Sequence, residues 1–290
     1  MHRIMHRIAW PLPAVVMLLS ACGTGPPAVR VQPGASATAS PRSEPAAPPA
    51  TASAPATHGG PARFLPTATG PLDGKVVVVD PGHNGGNFAA ASVISRLIWN
   101  GRQTETCDTV GTQTDSGYTE ALFNWNVARY LTADLRAEGA TVVLTRTSDT
   151  GVGPCVTRRA AIGNAARADA AISIHADGGP PDGRGFAILE PVADGINDAV
   201  IGSSAILGAD LRAAFAAGTG EPVSSYDGTG GIQPRDNLAG TNLSTVPKVF
   251  IECANMRNAA DAVLVTSPRW QATAARAIAA GLTAFLTGGR

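Results

Sequence analysis

Short apolar runs at 76–79, 141–144, 171–174, 185–189 and 248–251 alternate with longer amphipathic or Ala-rich stretches, and this alternation constrains the chain more than any other feature. These runs are apolar at nearly every position, as strands are when both faces of their sheet are covered. The expected class is α/β: one domain with a mostly parallel, twisted sheet and helices on both faces. Helices are expected from about Tyr118, where Leu122, Val127, Tyr130, Leu131 and Leu135 form one stripe, and over 156–167, 199–217 and 268–286. Two segments stay outside the alternation, the Gly/Thr-rich stretch 84–117 and the Gly/Asn/Asp-rich stretch 219–245. Loops of that length in a compact domain are usually functional, so both are expected to wall a site.

The first 70 of the 290 residues do not share this pattern. His2, Arg3, His6 and Arg7 precede an apolar run over 8–19 that Pro11 and Pro13 interrupt, and such a run is too short to span a bilayer as a helix. Residues 1–21 therefore read as a signal peptide. The run closes on Leu19-Ser20-Ala21-Cys22, which resembles the lipobox of bacterial lipoproteins, so Cys22 is the expected lipid-bearing first residue and the only membrane attachment. Residues 22–70 are Pro, Ala, Ser, Thr and Gly with few bulky apolar side chains, the composition of a disordered tether. The folded domain is expected over 71–290, outside the cytoplasm. With 22 basic against 22 acidic side chains there is no field to hold nucleic acid, and nothing suggests more than a monomer.

Beyond Cys22 the chain has Cys107, Cys155 and Cys253. Cys107 and Cys155 lie in loop-like sequence and are the expected disulfide, which on the chain-entropy model stabilises by roughly 4 kcal/mol. Cys253 follows Val249-Phe250-Ile251 and should be buried and inert.

Three apolar runs end in chemistry-bearing residues: 76–79 leads into Asp80-Pro81-Gly82-His83, 171–174 into His175, and 248–251 into Glu252. In a parallel sheet such ends share one edge, where ligands bind, so His83, His175 and Glu252 can converge. A catalytic zinc takes two imidazoles and a carboxylate and leaves a position open to water. Glu120, opening the helix after Tyr118, is the favoured third ligand because a rigid element holds metal geometry best. Glu105, in the 84–117 insertion, is the rival. Arg146, Arg235, Asp236 and Asn237 are candidate substrate contacts.

Taken together these residues resemble the zinc-dependent N-acetylmuramoyl-L-alanine amidases of the type-3 catalytic domain, in particular secreted actinobacterial and mycobacterial members. The resemblance spans essentially 72–290. It rests on Val79-Asp80-Pro81-Gly82-His83-Asn84-Gly85-Gly86, Thr119-Glu120, Thr145-Arg146-Thr147, Ser173-Ile174-His175-Ala176-Asp177, and Val249-Phe250-Ile251-Glu252-Cys253-Ala254-Asn255-Met256-Arg257-Asn258, in that order. It implies one Zn2+ held by His83, Glu120 and His175, with Glu252 as the catalytic acid/base. It also implies peptidoglycan muropeptides as substrate, cut between N-acetylmuramic acid and L-alanine during wall remodelling or daughter-cell separation. Asp177 stands where many relatives have asparagine, and Cys253-Ala254 replaces a glycine-containing turn; neither removes a ligand or the base. The competing expectations are a zinc peptidase of the stem peptide and a non-catalytic wall-binding lipoprotein. A serine hydrolase is disfavoured because no Gly-x-Ser-x-Gly elbow is present.

Overall fold

The largely apolar runs form the centre of a seven-stranded sheet in the computed structural model, which describes residues 61–288. The expected signal segment 1–21, Cys22 and the tether as far as residue 60 lie outside the described residues. In chain order the elements are β1 (Ala62–Phe64), β2 (Val76–Pro81), α1 (Ala91–Ile94), β3 (Leu97–Trp99), β4 (Thr104–Thr106), α2 (Glu120–Ala137), β5 (Thr141–Leu144) and α3 (Val156–Ala166). They continue with β6 (Ala170–Asp177), β7 (Ala187–Pro191), α4 (Ile201–Thr219), β8 (Ile232–Arg235), α5 (Ala239–Asn242), β9 (Lys248–Asn255), α6 (Ala259–Val265) and α7 (Pro268–Thr287).

The strand order is β1-β5-β2-β6-β9-β7-β8. The run β5-β2-β6-β9 is parallel throughout, while β1 joins β5 and β7 joins β9 antiparallel. The mostly parallel sheet expected from the apolar runs is therefore the one observed.

Alternation along the strands divides the sheet into two unlike faces. Val77, Val79, Ile172, Ile174, Val249 and Ile251 are fully buried in the main core, against α2, α4 and α7. The opposite face has a smaller apolar cluster, in which Val78, Val143 and Ala171 meet Ile162 of α3 and Val246. Further along the same face the alternating positions turn polar, with Asp80, Ser173 and Lys248, and then His175 and Glu252. The site grows from the thinly covered face because that is where the strands stop being apolar.

The order of the sheet departs from expectation at its margins. Three residues of the expected tether, Ala62–Phe64, are ordered as edge strand β1, with Phe64 packed on the core and Arg136 stacked over its ring at 5.8 Å. The 84–117 insertion contains the β3–β4 hairpin as well as loop, and 219–245 contains β8 and α5. The expected Cys107–Cys155 bridge is not formed: Cys107, Cys155 and Cys253 are all free thiols. The two loop segments are nevertheless neighbours, since Val156 N, next to Cys155, donates to the Cys107 carbonyl at 2.9 Å. Cys253 is fully buried in the main core, as expected.

Candidate metal centre

β2, β6 and β9 end side by side, so the three strand-end residues meet. His175 and Glu252 are register partners across β6 and β9, and Gly82 N donates to the Ile174 carbonyl at 3.0 Å, bringing the start of the His83 loop against β6. His83 itself has φ of 54°, a left-handed backbone that costs a non-glycine residue roughly 1–3 kcal/mol and persists only where the surroundings enforce it. Gly82 must be glycine for a separate reason: a Cβ there would lie 2.1 Å from His175 Cε1.

Glu120 arrives from the other side, at the first position of α2, whose N-cap is the Thr119 hydroxyl accepting from Leu122 N at 3.4 Å. The helix N-terminus favours its negative charge. Glu120 Oε1 lies 2.8 Å from His175 Nδ1 and 3.3 Å from His83 Nε2, while Oε2 accepts from Thr112 N at 2.9 Å. One ligand atom from each of His83, Glu120 and His175 falls within 4.8 Å of the others. Two imidazole nitrogens and a carboxylate oxygen so disposed are a donor set that fits a divalent ion with an open position. The rings are held at 89° to each other, and His175 stacks on Phe250 with centroids 5.3 Å apart.

Burial opposes the charge on Glu120, but the two imidazoles hold its carboxyl well below the ordinary carboxylate range. Glu252 goes the opposite way: burial, reinforced by the negative charges of Glu120 and Asp177, pushes it well above that range. Its Oε2 is inaccessible and has no hydrogen-bond partner among the described residues. Arg257, five residues further on, pairs with Asp115 at 3.5 Å.

Below this rim lies a buried ionic network. Asp80, 2% exposed, pairs with Arg159 at 3.0 Å and Lys248 at 3.2 Å and accepts from Thr145 and Ser173 at 2.6 and 2.7 Å. Burial alone would raise its pKa, but these partners hold it well below the usual carboxylate range.

A cleft of about 340 Å³ opens over the cluster, lined by His83, Glu120, His175 and Glu252 together with Thr112 and Asp177. Thr109, Gly111 and Thr112 bring the 84–117 insertion into its wall, as expected. Glu105 does not reach the cluster; its carboxylate accepts from Asn100 at 2.9 Å and from Ala239 N at 3.3 Å, tying the hairpin to α5.

A family model described as N-acetylmuramoyl-L-alanine amidase matches residues 77–284. The chain belongs to the N-acetylmuramoyl-L-alanine amidase family. The N-acetylmuramoyl-L-alanine amidase Rv3717 of Mycobacterium tuberculosis is 40% identical over 216 residues, covering 74% of this chain and 88% of that protein. Among solved structures, the N-acetylmuramyl-L-alanine amidase Ami1 of Mycobacterium smegmatis is similar with a TM-score of 0.71 at 42% identity, over 76% of this chain and 99% of that one. The apo form of Ami1 from Mycobacterium abscessus gives a TM-score of 0.70 at 40% identity, over 74% of this chain and 100% of that one.

Within this amidase-family site the substrate contacts expected from sequence are otherwise engaged. Arg146 is fully buried and clamps backbone, donating to Pro81 O at 2.9 Å, Ala121 O at 2.9 Å and Gly82 O at 3.2 Å, so it supports the histidine loop instead of meeting substrate. Arg235 donates to Asn237 at 2.8 Å, and Asp236 pairs with Arg102 of the hairpin turn at 3.8 Å. Asp108, Arg159 and Gly111 lie at the centre without having been singled out. Only Gly111 carried a signal, a glycine in a Gly/Thr-rich wall: its φ is 75° and a Cβ would come 2.7 Å from Glu120 Oε2.

Proposed function

We propose that this chain is a zinc-dependent N-acetylmuramoyl-L-alanine amidase, hydrolysing the amide between the lactyl group of N-acetylmuramic acid and the first L-alanine of the stem peptide, outside the cytoplasm. The observation that carries it is the pairing of a His83, Glu120 and His175 donor cluster with a neighbouring Glu252 oxygen that has no hydrogen-bond partner among the described residues, in a chain of this family. In this reading His83, Glu120 and His175 hold the ion. When bound, zinc in such a ligand set makes water acidic near neutral pH and polarises an amide carbonyl.

The remaining work belongs to the chain. Glu252 is register partner to His175 and lines the same cleft, so it is the group placed to accept a proton from water and return it to the leaving nitrogen. That return is necessary because an amide nitrogen is a poor leaving group until protonated. Phe250 and Gly82 fix the His175 ring from two sides, and Thr112 fixes Glu120. Asp177 and Gly178 form the adjoining rim, where a stem peptide would lie. The tether ending in Cys22 is proposed to anchor the domain at the membrane while it reaches the wall.

The test is digestion of purified muropeptides by the zinc-loaded protein, with products identified by mass. Intact stem peptide with a free L-alanine amine, and muramic-acid lactyl groups freed from peptide, is the expected result. Shortened stem peptides would make it a peptidase, and no cleavage by protein shown to hold zinc would leave a binding role.

A further inference from the structure

We infer that Asp108 is a positioning residue for His83, supplied by the 84–117 insertion to fix which ring nitrogen faces the metal; the inference rests on His83 being a ligand. The two nitrogens have unlike surroundings. Nε2 faces Glu120 Oε1 at 3.3 Å, inside the donor cluster. Nδ1 faces only oxygens away from it: Asp108 Oδ1 at 3.1 Å, Thr109 O at 3.2 Å and Thr109 Oγ1 at 3.3 Å. A nitrogen beside a carboxylate and a carbonyl carries the hydrogen, which leaves the Nε2 lone pair directed at the cluster.

The carboxylate is itself immobilised. Asp108 is 6% exposed; its Oδ1 also accepts from Thr109 N at 2.8 Å, and its Oδ2 lies 3.3 Å from Arg159 Nη2. Arg159 is equally buried and donates through the same guanidinium to His83 O at 2.8 Å and Pro81 O at 2.7 Å. One arginine therefore grips His83 at its backbone directly and at its ring through Asp108. This double hold suits a residue kept in the left-handed backbone region. The residue before Asp108 is anchored through both its backbone groups, Cys107 N donating to Arg96 O at 2.8 Å and Cys107 O accepting from Val156 N at 2.9 Å. The insertion thus completes a ligand as well as walling the cleft.

Carboxylates behind metal-bound histidines typically contribute 10–100-fold to affinity or activity, so Asp108→Ala is expected to weaken zinc binding by about that factor. The probe is zinc alone, titrated into the full protein against a chromophoric chelator. Asp108→Asn, which keeps an acceptor for the Nδ1 hydrogen, should retain part of the affinity. The 15N shifts of the His83 ring in the zinc-loaded parent should show Nδ1 protonated, a signature that a merely structural role would not set. Equal zinc affinity in folded Asp108→Ala and parent overturns the inference, and if Asp108→Ala does not fold, equal affinity in Asp108→Asn together with a protonated Nε2 does so. A parent that takes up no zinc overturns the proposed function with it, whereas a parent that binds zinc and cleaves muropeptides isolates the failure to Asp108.

Discussion

Two carboxylates stand on the strands flanking β6, and they are treated in opposite ways. Asp80, on β2 opposite Ser173, is fully enclosed with two cations and two hydroxyls on its oxygens. Glu252, on β9 opposite His175, keeps an oxygen with no hydrogen-bond partner among the described residues and has Glu120 and Asp177 for neighbours. A buried charge that is satisfied on every side builds the platform; one left unsatisfied beside the cleft is, in the proposed function, the group that exchanges a proton. The same sheet edge, two strands apart, therefore holds one satisfied and one unsatisfied carboxylate, the arrangement on which the proposed division of support from chemistry rests.

The largest effect that can break this contrast is at Glu252. Glu252→Gln keeps the shape and removes the base, so turnover of muropeptides should fall by ~10²–10⁴-fold. Its melting temperature should hold or rise, because the amide ends repulsion from Glu120 and Asp177. A large loss of stability would mean that Glu252 is structural like Asp80. Asp80→Asn should do the reverse, costing about 3–5 kcal/mol in denaturant unfolding because Arg159 and Lys248 are left buried without their counter-charge.

The pH dependence follows from the same pair. Asp80 has a folded pKa held below its unfolded value of about 3.9, so its contribution is complete above that value and is lost as pH falls below it towards the folded pKa. Unfolding free energy should therefore decline below about pH 4, and Asp80→Asn should flatten that decline. A smaller effect sharpens the boundary between the two regions: Gly82→Ala pushes a methyl into the His175 ring and should reduce activity by roughly 10²-fold through misplacement, with the Asp80 network and the fold intact.

Much of the sheet was legible because strands covered on both faces are apolar at most positions: 76–79 is apolar throughout, and 171–174 and 248–251 each carry a single polar residue, Ser173 and Lys248. β1 was not, since three residues, Ala62–Phe64, carry no period and sit in Pro/Ala-rich sequence. The hairpin strands Leu97–Trp99 and Thr104–Thr106 are equally short and lie amid Gly and Thr. At the site, strand ends advertised His83, His175 and Glu252, and a helix start advertised Glu120. Arg159 was invisible because a buried arginine in the middle of an Ala-rich helix looks like a solvated one until Asp80 and Asp108 are seen facing it. Arg146 was misread for the same reason in reverse: a strand-end arginine suggested a ligand contact, whereas its guanidinium is spent on carbonyls of the loop beneath.

The central claim divides Glu120 from Glu252, one holding the ion and the other moving the proton. Metal content and muropeptide turnover of Glu120→Ala and Glu252→Ala, purified in parallel and dialysed against zinc, test it most directly. The account predicts that Glu252→Ala keeps the zinc content of the parent and loses turnover, while Glu120→Ala loses both. Zinc retained by Glu120→Ala, or lost from Glu252→Ala, would contradict it.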